Sequence, residues 1–331
     1  MNNNWAFLPM RSSSSLLDDP EALRSRFEED GYLYLDGVLD RDRIAAVHDA
    51  VVDELVDAGW VERRGNGEPW CLVEPIQEGE NAYFEAYDRV QRLEQFHLLA
   101  HDPALHAAVE TALGGRAFAH PLKIARLVFP GNFEHSTPPH QDDPNNQGDP
   151  RLTATWIPLH DQPEEMGGLA VLAGSHHFGR LPLRAHWGPG NRAAALPLQV
   201  LEACRWVTTS FRAGDVLVFG SHTVHAAMHN ASELHMRLSV DYRFQPDGAA
   251  LTPITLEPHF QRLSWEEIYE DWTDTEHRYY WRDHAYEIVP FEELALTPNT
   301  EPEEPLRAHV AMKRRIAARF ARRSSLIESG D

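Results

Sequence analysis

Hydrophobic and polar residues change their periodicity along this chain near residue 115. Before that point apolar residues recur at helical spacing, most clearly after Asp40, which is placed to cap a helix that continues to Ala58. The apolar positions of this helix share one side: Ile44, Val47, Val51, Val52 and Leu55. A strand is predicted over 32–35. Further helices are predicted over 20–27, 87–99 and 103–113.

Beyond residue 115 the chain consists of short alternating or β-branched runs separated by turn residues. Seven strands are predicted there: 122–129, 152–159, 169–172, 206–210, 216–219, 223–228 and 236–244. No helical span lies between them, which favours an antiparallel barrel or sandwich. The aromatic segment 265–286 is predicted to form a helical layer on one barrel face, with a lid over the substrate as the alternative.

The two ends of the chain differ from its middle. Residues 1–17 end in a serine run without apolar periodicity, and we expect a mobile tail there. Residues 18–300 show no repeat and no linker, so a single domain is expected, with its barrel core at about 118–246. The remaining residues, 301–331, are predicted to form a basic helix and tail.

Composition excludes several classes of function. The chain has 331 residues, 42% of them hydrophobic, and a formal charge of −21, which argues against binding to nucleic acid or an anionic membrane. Cys71 and Cys204 are too few for a disulfide scaffold or a thiolate metal site. No signal-like apolar run is present at the N-terminus, and no uninterrupted apolar stretch reaches about 18 residues. We therefore expect a cytoplasmic protein.

One short motif suggests metal chemistry. His140 and Asp142 are two residues apart, so in extended chain both side chains lie on one face. Such a pair supplies two ligands of the 2-His-1-carboxylate triad that holds non-haem Fe(II) with open coordination positions. The motif is weak by itself, since chance predicts roughly three His-x-acid matches in a chain of this composition. The alternative without metal is a surface loop in which the Asp side chains form hydrogen bonds within turns.

The third ligand has several candidates in the late strands. They are the histidines at 222, 225, 229 and 235. In the strand predicted over 236–244, alternation places Arg237, Ser239 and Asp241 on one face. A guanidinium beside a hydroxyl suits a carboxylate ligand, because the planar fork of donors matches two carboxylate oxygens.

An ordered set of motifs extends through residues 20–245. It comprises FEEDGYL at 27–33, HQD at 140–142, TWIPL at 155–159, GGL at 167–169, AGSH at 173–176, GDVLVF at 214–219, TVH at 223–225 and Arg237. In this order the set resembles the phytanoyl-CoA dioxygenase family of Fe(II)/2-oxoglutarate oxygenases. The resemblance implies a mainly β fold, a double-stranded β-helix (jelly roll) core with N-terminal and C-terminal helices packed around it.

The resemblance also implies roles for particular residues. His140, Asp142 and His225 would bind Fe(II), and Arg237 would anchor the distal carboxylate of 2-oxoglutarate with help from Ser239. Trp156 would border the cosubstrate, with a core packing role as the alternative.

Lys123 is a candidate substrate contact on separate grounds. Strand alternation places it on one face with Ala125, Leu127 and Phe129. Two placements are open for Lys123: it points into the barrel and meets an anionic group of substrate or cosubstrate, or it extends to the barrel rim.

The expected reaction follows from this resemblance. An oxygenase with Fe(II), 2-oxoglutarate and O2 would hydroxylate an unactivated C–H bond of a small molecule, such as a natural-product intermediate or modified amino acid, and release succinate and CO2. Asp142 argues against halogenation, which needs a small residue in its place. Desaturation, epoxidation and rearrangement remain open. Two other classes also remain: a catalytically silent jelly roll that binds metal or small molecules, and a cupin-like metalloenzyme that does not use 2-oxoglutarate.

Overall fold

The computed structural model describes residues 6–65, 68–185, 192–292 and 294–297. Its strands are β1 Leu8–Pro9, β2 Tyr32–Leu35, β3 Val61–Arg64, β4 Glu68–Cys71, β5 Ala117–Val128, β6 Thr153–Pro158, β7 Leu169–Ala173, β8 Leu183–Ala185, β9 Arg192–Ala194, β10 Arg205–Thr208, β11 Val216–Gly220, β12 His225–Ala227 and β13 Arg237–Pro246. Its α-helices are α1 Pro20–Asp30, α2 Arg41–Asp57, α3 Asn81–Gln91, α4 Glu94–Leu98, α5 Pro103–Leu113, α6 Asp143–Asn146, α7 Leu198–Ala203 and α8 Trp265–Ile268.

Two sheets form the core. The larger has the order β2-β11-β6-β13-β5, and all its pairs are antiparallel. The smaller has the order β1-β10-β7-β12. The sheets face each other across an apolar layer in which Trp156 and Leu217 of the larger sheet join Val171 and Val207 of the smaller. This arrangement confirms the predicted jelly-roll class, and β1 and β2 add strands from outside the expected core of about 118–246.

Helices cover the outer face of the larger sheet. The side chains of β13 that point away from the barrel, Leu238 and Val240, share one buried cluster with the apolar side of α2. Asp40 caps α2 as predicted, since its side chain accepts from the backbone N–H groups of Asp42 and Arg43. The predicted helix 87–99 is wrong at its boundaries, because the chain turns between α3 and α4.

The N-terminal segment is not the tail that its serine-rich composition predicts. Within the described residues β1 pairs in parallel with β10, and Met10 donates to the carbonyl of Thr208 at 2.9 Å. Ser13 then donates to the carbonyl of Tyr34 at 2.8 Å. The expectation of a mobile segment is therefore wrong from residue 8 onward. Residues 8–10 pair with the edge of the smaller sheet, and Ser13 and Ser14 satisfy backbone groups at and just after β2 of the larger sheet.

The aromatic segment after residue 264 forms a packed layer, but it is not helical as predicted. Only Trp265–Ile268 is α-helix, with a short 3-10 helix at Tyr280–Asp283. Its rings pack on Phe118, and Tyr280 donates to the carbonyl of Ala119 at 2.8 Å. The layer therefore covers the start of β5. The predicted helix at 304–323 lies outside the described residues.

Candidate metal centre

The two histidines of the predicted triad are brought together by backbone pairing. His140 N donates to the carbonyl of His225 at 2.9 Å, and His225 N donates to the carbonyl of His140 at 3.0 Å. His225 opens β12, whose other edge pairs with β7, so the segment around His140 extends the smaller sheet. Asp142 follows directly before α6. Two segments far apart in sequence thus deliver all three side chains to one place.

The three predicted ligands form a compact buried group. One ligand atom from each of His140, Asp142 and His225 lies within 4.8 Å of the others, and this is the one such group of three or more in the part of the chain that the structure describes. Asp142 Oδ1 lies 3.9 Å from Nε2 of both histidines. Two imidazoles and one carboxylate are the donor set that suits non-haem iron.

Hydrogen bonds orient both imidazoles with Nε2 toward the centre. His140 Nδ1 lies 2.9 Å from the carbonyl of Pro138, and His225 Nδ1 lies 3.1 Å from the carbonyl of Thr223. A carbonyl can only accept, so Nδ1 carries the proton and Nε2 keeps its lone pair. Burial, together with the neighbouring His225, lowers the pKa of His140 to about 3, and burial lowers the pKa of His225 as well. Both rings are therefore neutral at pH 7, as metal ligands must be.

Arg243 is a part of this centre that the sequence did not reveal. Its Nε and Nη2 donate to the two oxygens of Asp142 at 3.1 and 3.2 Å, and both side chains are buried. Burial alone would raise the pKa of Asp142, but Arg243 and the two imidazoles outweigh it and hold that pKa below its ordinary value. Strand alternation from Arg237 puts residue 243 on the same face, which was the available signal.

The inner face of β13 is lined with polar groups that lack partners. Among the described residues, four buried side-chain atoms there have no hydrogen-bond partner: Arg237 Nε, Ser239 Oγ, Asp241 Oδ1 and Arg243 Nη1. Three of these atoms are donors, and buried donors without acceptors are costly, so they indicate a place for an anionic ligand. A guanidinium and a hydroxyl fit one carboxylate of 2-oxoglutarate. The residues present therefore fit both the metal and the cosubstrate.

The side chain of Trp156 lies on the inner face of the larger sheet. Its partner in the register of β6 and β13 is Asp241, so both side chains lie on the inner face. The indole packs against Phe211 with ring centroids 4.7 Å apart. Trp156 therefore has a packing role in the layer between the sheets, and its contact with the cosubstrate stays a prediction.

Comparison with known proteins identifies the family. The model of the family described as "Phytanoyl-CoA dioxygenase (PhyH)" matches residues 27–238, well over half of the chain. The chain belongs to the phytanoyl-CoA dioxygenase family. The family predicted from the motifs is thus confirmed, and so is the dioxygenase class. The use of iron and 2-oxoglutarate is confirmed as well, and the His-Asp-His group has the donor atoms that such an iron site needs.

Relatives of this family member include two curated hydroxylases. The chain is 29% identical over 260 residues to a 1-deoxypentalenic acid 11-beta-hydroxylase of Streptomyces exfoliatus, covering 72% of this chain and 87% of the relative. It is 27% identical over 265 residues to the protein of the same description from Streptomyces arenae, with the same coverage.

Two solved structures of similar fold come from nogalamycin biosynthesis. The epimerase SnoN from nogalamycin biosynthesis, in complex with Fe3+, alpha ketoglutarate and nogalamycin RO, is 25% identical with a TM-score of 0.51, covering 71% of this chain and 87% of SnoN. The carbocyclase SnoK from the same biosynthesis is 23% identical with a TM-score of 0.50, covering 77% and 94%. At this level of identity, the similarity to SnoK supports the fold of this chain and says nothing about its reaction.

A cavity in this dioxygenase adjoins Arg237. Glu78 and Tyr83 line it from one side, Arg126 from β5, and Thr137 from the segment before the metal motif. Burial opposes the charged form of Arg126, but Asp241 and Glu78 outweigh it and raise the pKa of Arg126 above its ordinary value. Arg126 was not predicted as a site residue. It faces inward because β5 pairs Arg126 with Ser239.

Lys123 does not point into the barrel, which excludes the first of its two expected placements. The register pairs it with Tyr242, whose hydroxyl donates to the carbonyl of Phe96 beneath the helical layer. Lys123 Nζ instead donates to the carbonyl of His120 at 3.3 Å and the hydroxyl of Tyr280 at 3.2 Å. Its companions Ala125, Leu127 and Phe129 belong to the helix-covered cluster. The error was the choice of face, since alternation alone does not say which face is inside.

The other candidate histidines lie away from the triad. His222 Nε2 is 3.6 Å from Asp143, the carboxylate next to Asp142. The ring of His229 stacks on Phe133, and that of His235 lies edge-on to Trp70. The structure thus favours His225 among the four.

None of the helices that the structure describes has the length and apolar character needed to cross a bilayer.

Proposed function

We propose that this enzyme hydroxylates an unactivated C–H bond of a small molecule, with conversion of 2-oxoglutarate and O2 to succinate and CO2. The observation that carries the proposal is the buried group of His140, Asp142 and His225 beside the inward-facing Arg237. Iron bound by such a donor set activates O2 at its open coordination positions. The protein itself must hold the ligands, bind the cosubstrate and exclude water.

The three ligands have separate parts in this proposal. His140 and His225 offer Nε2 because their Nδ1 protons are engaged by backbone carbonyls. Asp142 offers Oδ1, the oxygen equidistant from both imidazoles. The carboxylate charge offsets part of the metal charge in a buried place where unpaired charges are costly.

Arg237 is proposed to anchor the distal carboxylate of 2-oxoglutarate. Its Nη1 is already engaged by the carbonyls of Gly168 and Met228, at 2.9 and 3.2 Å, while its Nε is buried without a partner. Burial lowers its pKa to about 10, so it keeps its charge at neutral pH. Ser239 Oγ, two residues along the same face, is proposed to donate to the same carboxylate.

The substrate is proposed to approach through the cavity beside Arg126 and Thr137. Its walls include apolar and charged groups, among them Tyr83, Glu78 and Arg237. The hydroxylases of 1-deoxypentalenic acid among the relatives support a small natural product as substrate. The same centre supports a second outcome: SnoN is an epimerase. Removal of hydrogen without hydroxylation would need the same ligands and a different placement of substrate.

A direct test supplies Fe(II), ascorbate, O2 and 2-oxoglutarate with panels of small terpenoid acids, polyketides and amino acid derivatives. Succinate is quantified, and products are read by mass spectrometry. A product 16 mass units heavier supports hydroxylation, and an isobaric product supports epimerisation. Succinate formation no higher than that of a His140→Ala variant with every panel would contradict an oxygenase function.

An anaerobic measurement distinguishes the proposed oxygenase from a catalytically silent binding protein. Fe(II) and 2-oxoglutarate together should give a weak visible absorption band if the cosubstrate chelates the iron. The wild-type protein should show the band, and Arg237→Met should need more 2-oxoglutarate to reach it. A metallated wild-type protein without the band would favour the silent alternative, while activity that does not depend on Arg237 would favour an enzyme that does not use 2-oxoglutarate.

A further inference from the structure

A chain of four charged side chains runs along the inner face of β13. Asp142 is paired with Arg243, Arg243 Nη1 lies 3.6 Å from Asp241 Oδ2, and Arg126 Nε donates to that same Oδ2 at 2.6 Å. The side chains of Asp142, Arg243 and Asp241 are 3, 4 and 8% exposed. Charges alternate along the whole chain. It connects the carboxylate ligand with the wall of the cavity.

The two oxygens of Asp142 are not equivalent in this arrangement. Oδ1 lies 3.9 Å from Nε2 of both His140 and His225, and it also accepts from Arg243 Nη2 at 3.2 Å. Oδ2 accepts from Arg243 Nε at 3.1 Å. Apart from the two imidazoles, Arg243 is the side chain that the described residues bring to this carboxylate. The planar fork of Arg243 therefore sets the plane of the carboxylate.

We propose that Arg243 is a positioning residue that holds Asp142 to coordination through one oxygen. Arg243 holds both oxygens in the plane of its fork, and Oδ1 is the oxygen 3.9 Å from Nε2 of both imidazoles, so the carboxylate would offer Oδ1 to a metal bound there while Oδ2 stays on Arg243. Asp241 fixes the far side of Arg243 and is fixed in turn by Arg126. This role rests on the proposed ligand assignment of His140, Asp142 and His225.

Burial energetics support a role beyond stability. A buried ion pair is often no more stabilising than apolar side chains of the same volume, because desolvation offsets the attraction. A cation beside a metal site also disfavours a second cation by direct repulsion. If Arg243 acted only through its charge, it would weaken metal binding. Its two hydrogen bonds to Asp142 are better explained by a role in orienting the carboxylate. Partners of this kind commonly change metal affinity by about 10–100-fold when removed.

The test compares Arg243→Met, Arg243→Lys and a matched control, Arg180→Met. Arg180 makes a similar two-point contact with Asp143, the neighbouring carboxylate, outside the triad. Fe(II) affinity is measured anaerobically by titration, and the visible band of the Fe(II)–2-oxoglutarate complex is recorded. Thermal unfolding of the metal-free proteins reports folding separately.

We expect Arg243→Met to weaken Fe(II) binding by about 10–100-fold and to shift the visible band. Arg243→Lys, which keeps the charge but loses the fork, should shift the band as well, and Arg180→Met should match wild type in both. If Arg243→Met does not fold, the lysine variant decides the question. Wild-type bands and affinity in folded Arg243 variants overturn the proposal, as does tighter Fe(II) binding by Arg243→Met. Failure of the ligand assignment would look different, because His140→Ala would then retain wild-type Fe(II) binding.

Discussion

Arg237 donates through Nη1 to the carbonyl of Gly168 at 2.9 Å, so the backbone that enters β7 fixes the guanidinium of β13. This contact joins the two sheets at the proposed cosubstrate site. It leaves Nε as the buried donor without a partner among the described residues.

Replacing Arg237 should therefore lower the affinity for 2-oxoglutarate more than the affinity for Fe(II). We expect Arg237→Met to weaken 2-oxoglutarate binding by at least about 30-fold, because truncating one member of a buried charge pair costs about 2 kcal/mol or more. Titration of the visible band with 2-oxoglutarate measures this, and Fe(II) affinity serves as the internal control. Equal losses of Fe(II) and 2-oxoglutarate affinity would point to a general disturbance of the site.

Gly168 should tolerate no side chain. A Cβ there would lie 2.5 Å from two ring atoms of Phe211, which packs on Trp156. We expect Gly168→Ala to lower the free energy of unfolding by about 1–3 kcal/mol and to weaken 2-oxoglutarate binding through the displaced carbonyl. Gly115→Ala is the control, since its Cβ would meet nothing within 4 Å. Denaturant unfolding of both variants tests this, and equal stability of the two would contradict the packing argument.

Metal should stabilise the fold through the triad. A divalent ion at 100 times its dissociation constant adds about 2.7 kcal/mol to the free energy of unfolding. Anaerobic Fe(II) should raise the melting temperature of wild type and of His222→Ala, whose ring lies beside Asp143. His140→Ala should show no rise. A similar rise in His140→Ala would place the ion elsewhere.

Lys123 should make stability depend on pH. Burial lowers its pKa to about 7 from the ordinary value of 10.5, so the unfolded chain holds a proton that the folded chain gives up between these values. The destabilisation is complete below pH 7 and disappears as pH rises toward 10.5. Lys123→Met should therefore be more stable than wild type at pH 7, and this advantage should shrink by about 2 kcal/mol at pH 9. Urea unfolding at both pH values measures it, and a constant difference would show that Lys123 does not titrate there.

Local signals in the sequence account for part of the candidate metal centre, whereas His225 was chosen among four histidines only through the family resemblance. His140 and Asp142 form one motif, and the alternation of β13 placed Arg237 and Ser239 on one face before the partner strands were known. Arg243 obeys the same alternation, yet its contact with Asp142 joins residues 101 positions apart. No local pattern reports such a contact.

The errors have related physical causes. Lys123 alternates correctly, but the pairing of β5 with β13 decides which face is inside. β1 is only two residues long and gains its stability from β10, so its sequence has no periodicity to detect. The aromatic rings of the segment after residue 264 are buried, but its backbone consists mostly of irregular turns. A high aromatic content therefore predicted that the segment packs on the core, but it did not predict the secondary structure.

The register of β13 has a consequence for how such an enzyme can diversify. The polar side chains of this strand alternate with apolar ones: Arg237, Ser239, Asp241 and Arg243 point inward, whereas Leu238, Val240 and Tyr242 pack under the helices. A shift of the strand by one residue would bury the charged side chains among the apolar residues of the helices and turn apolar side chains toward the metal site. An insertion or deletion in this strand would destroy chemistry and fold together. Changes of substrate are therefore better placed in the loop around Glu78, which lines the cavity and can change length without a shift of this strand.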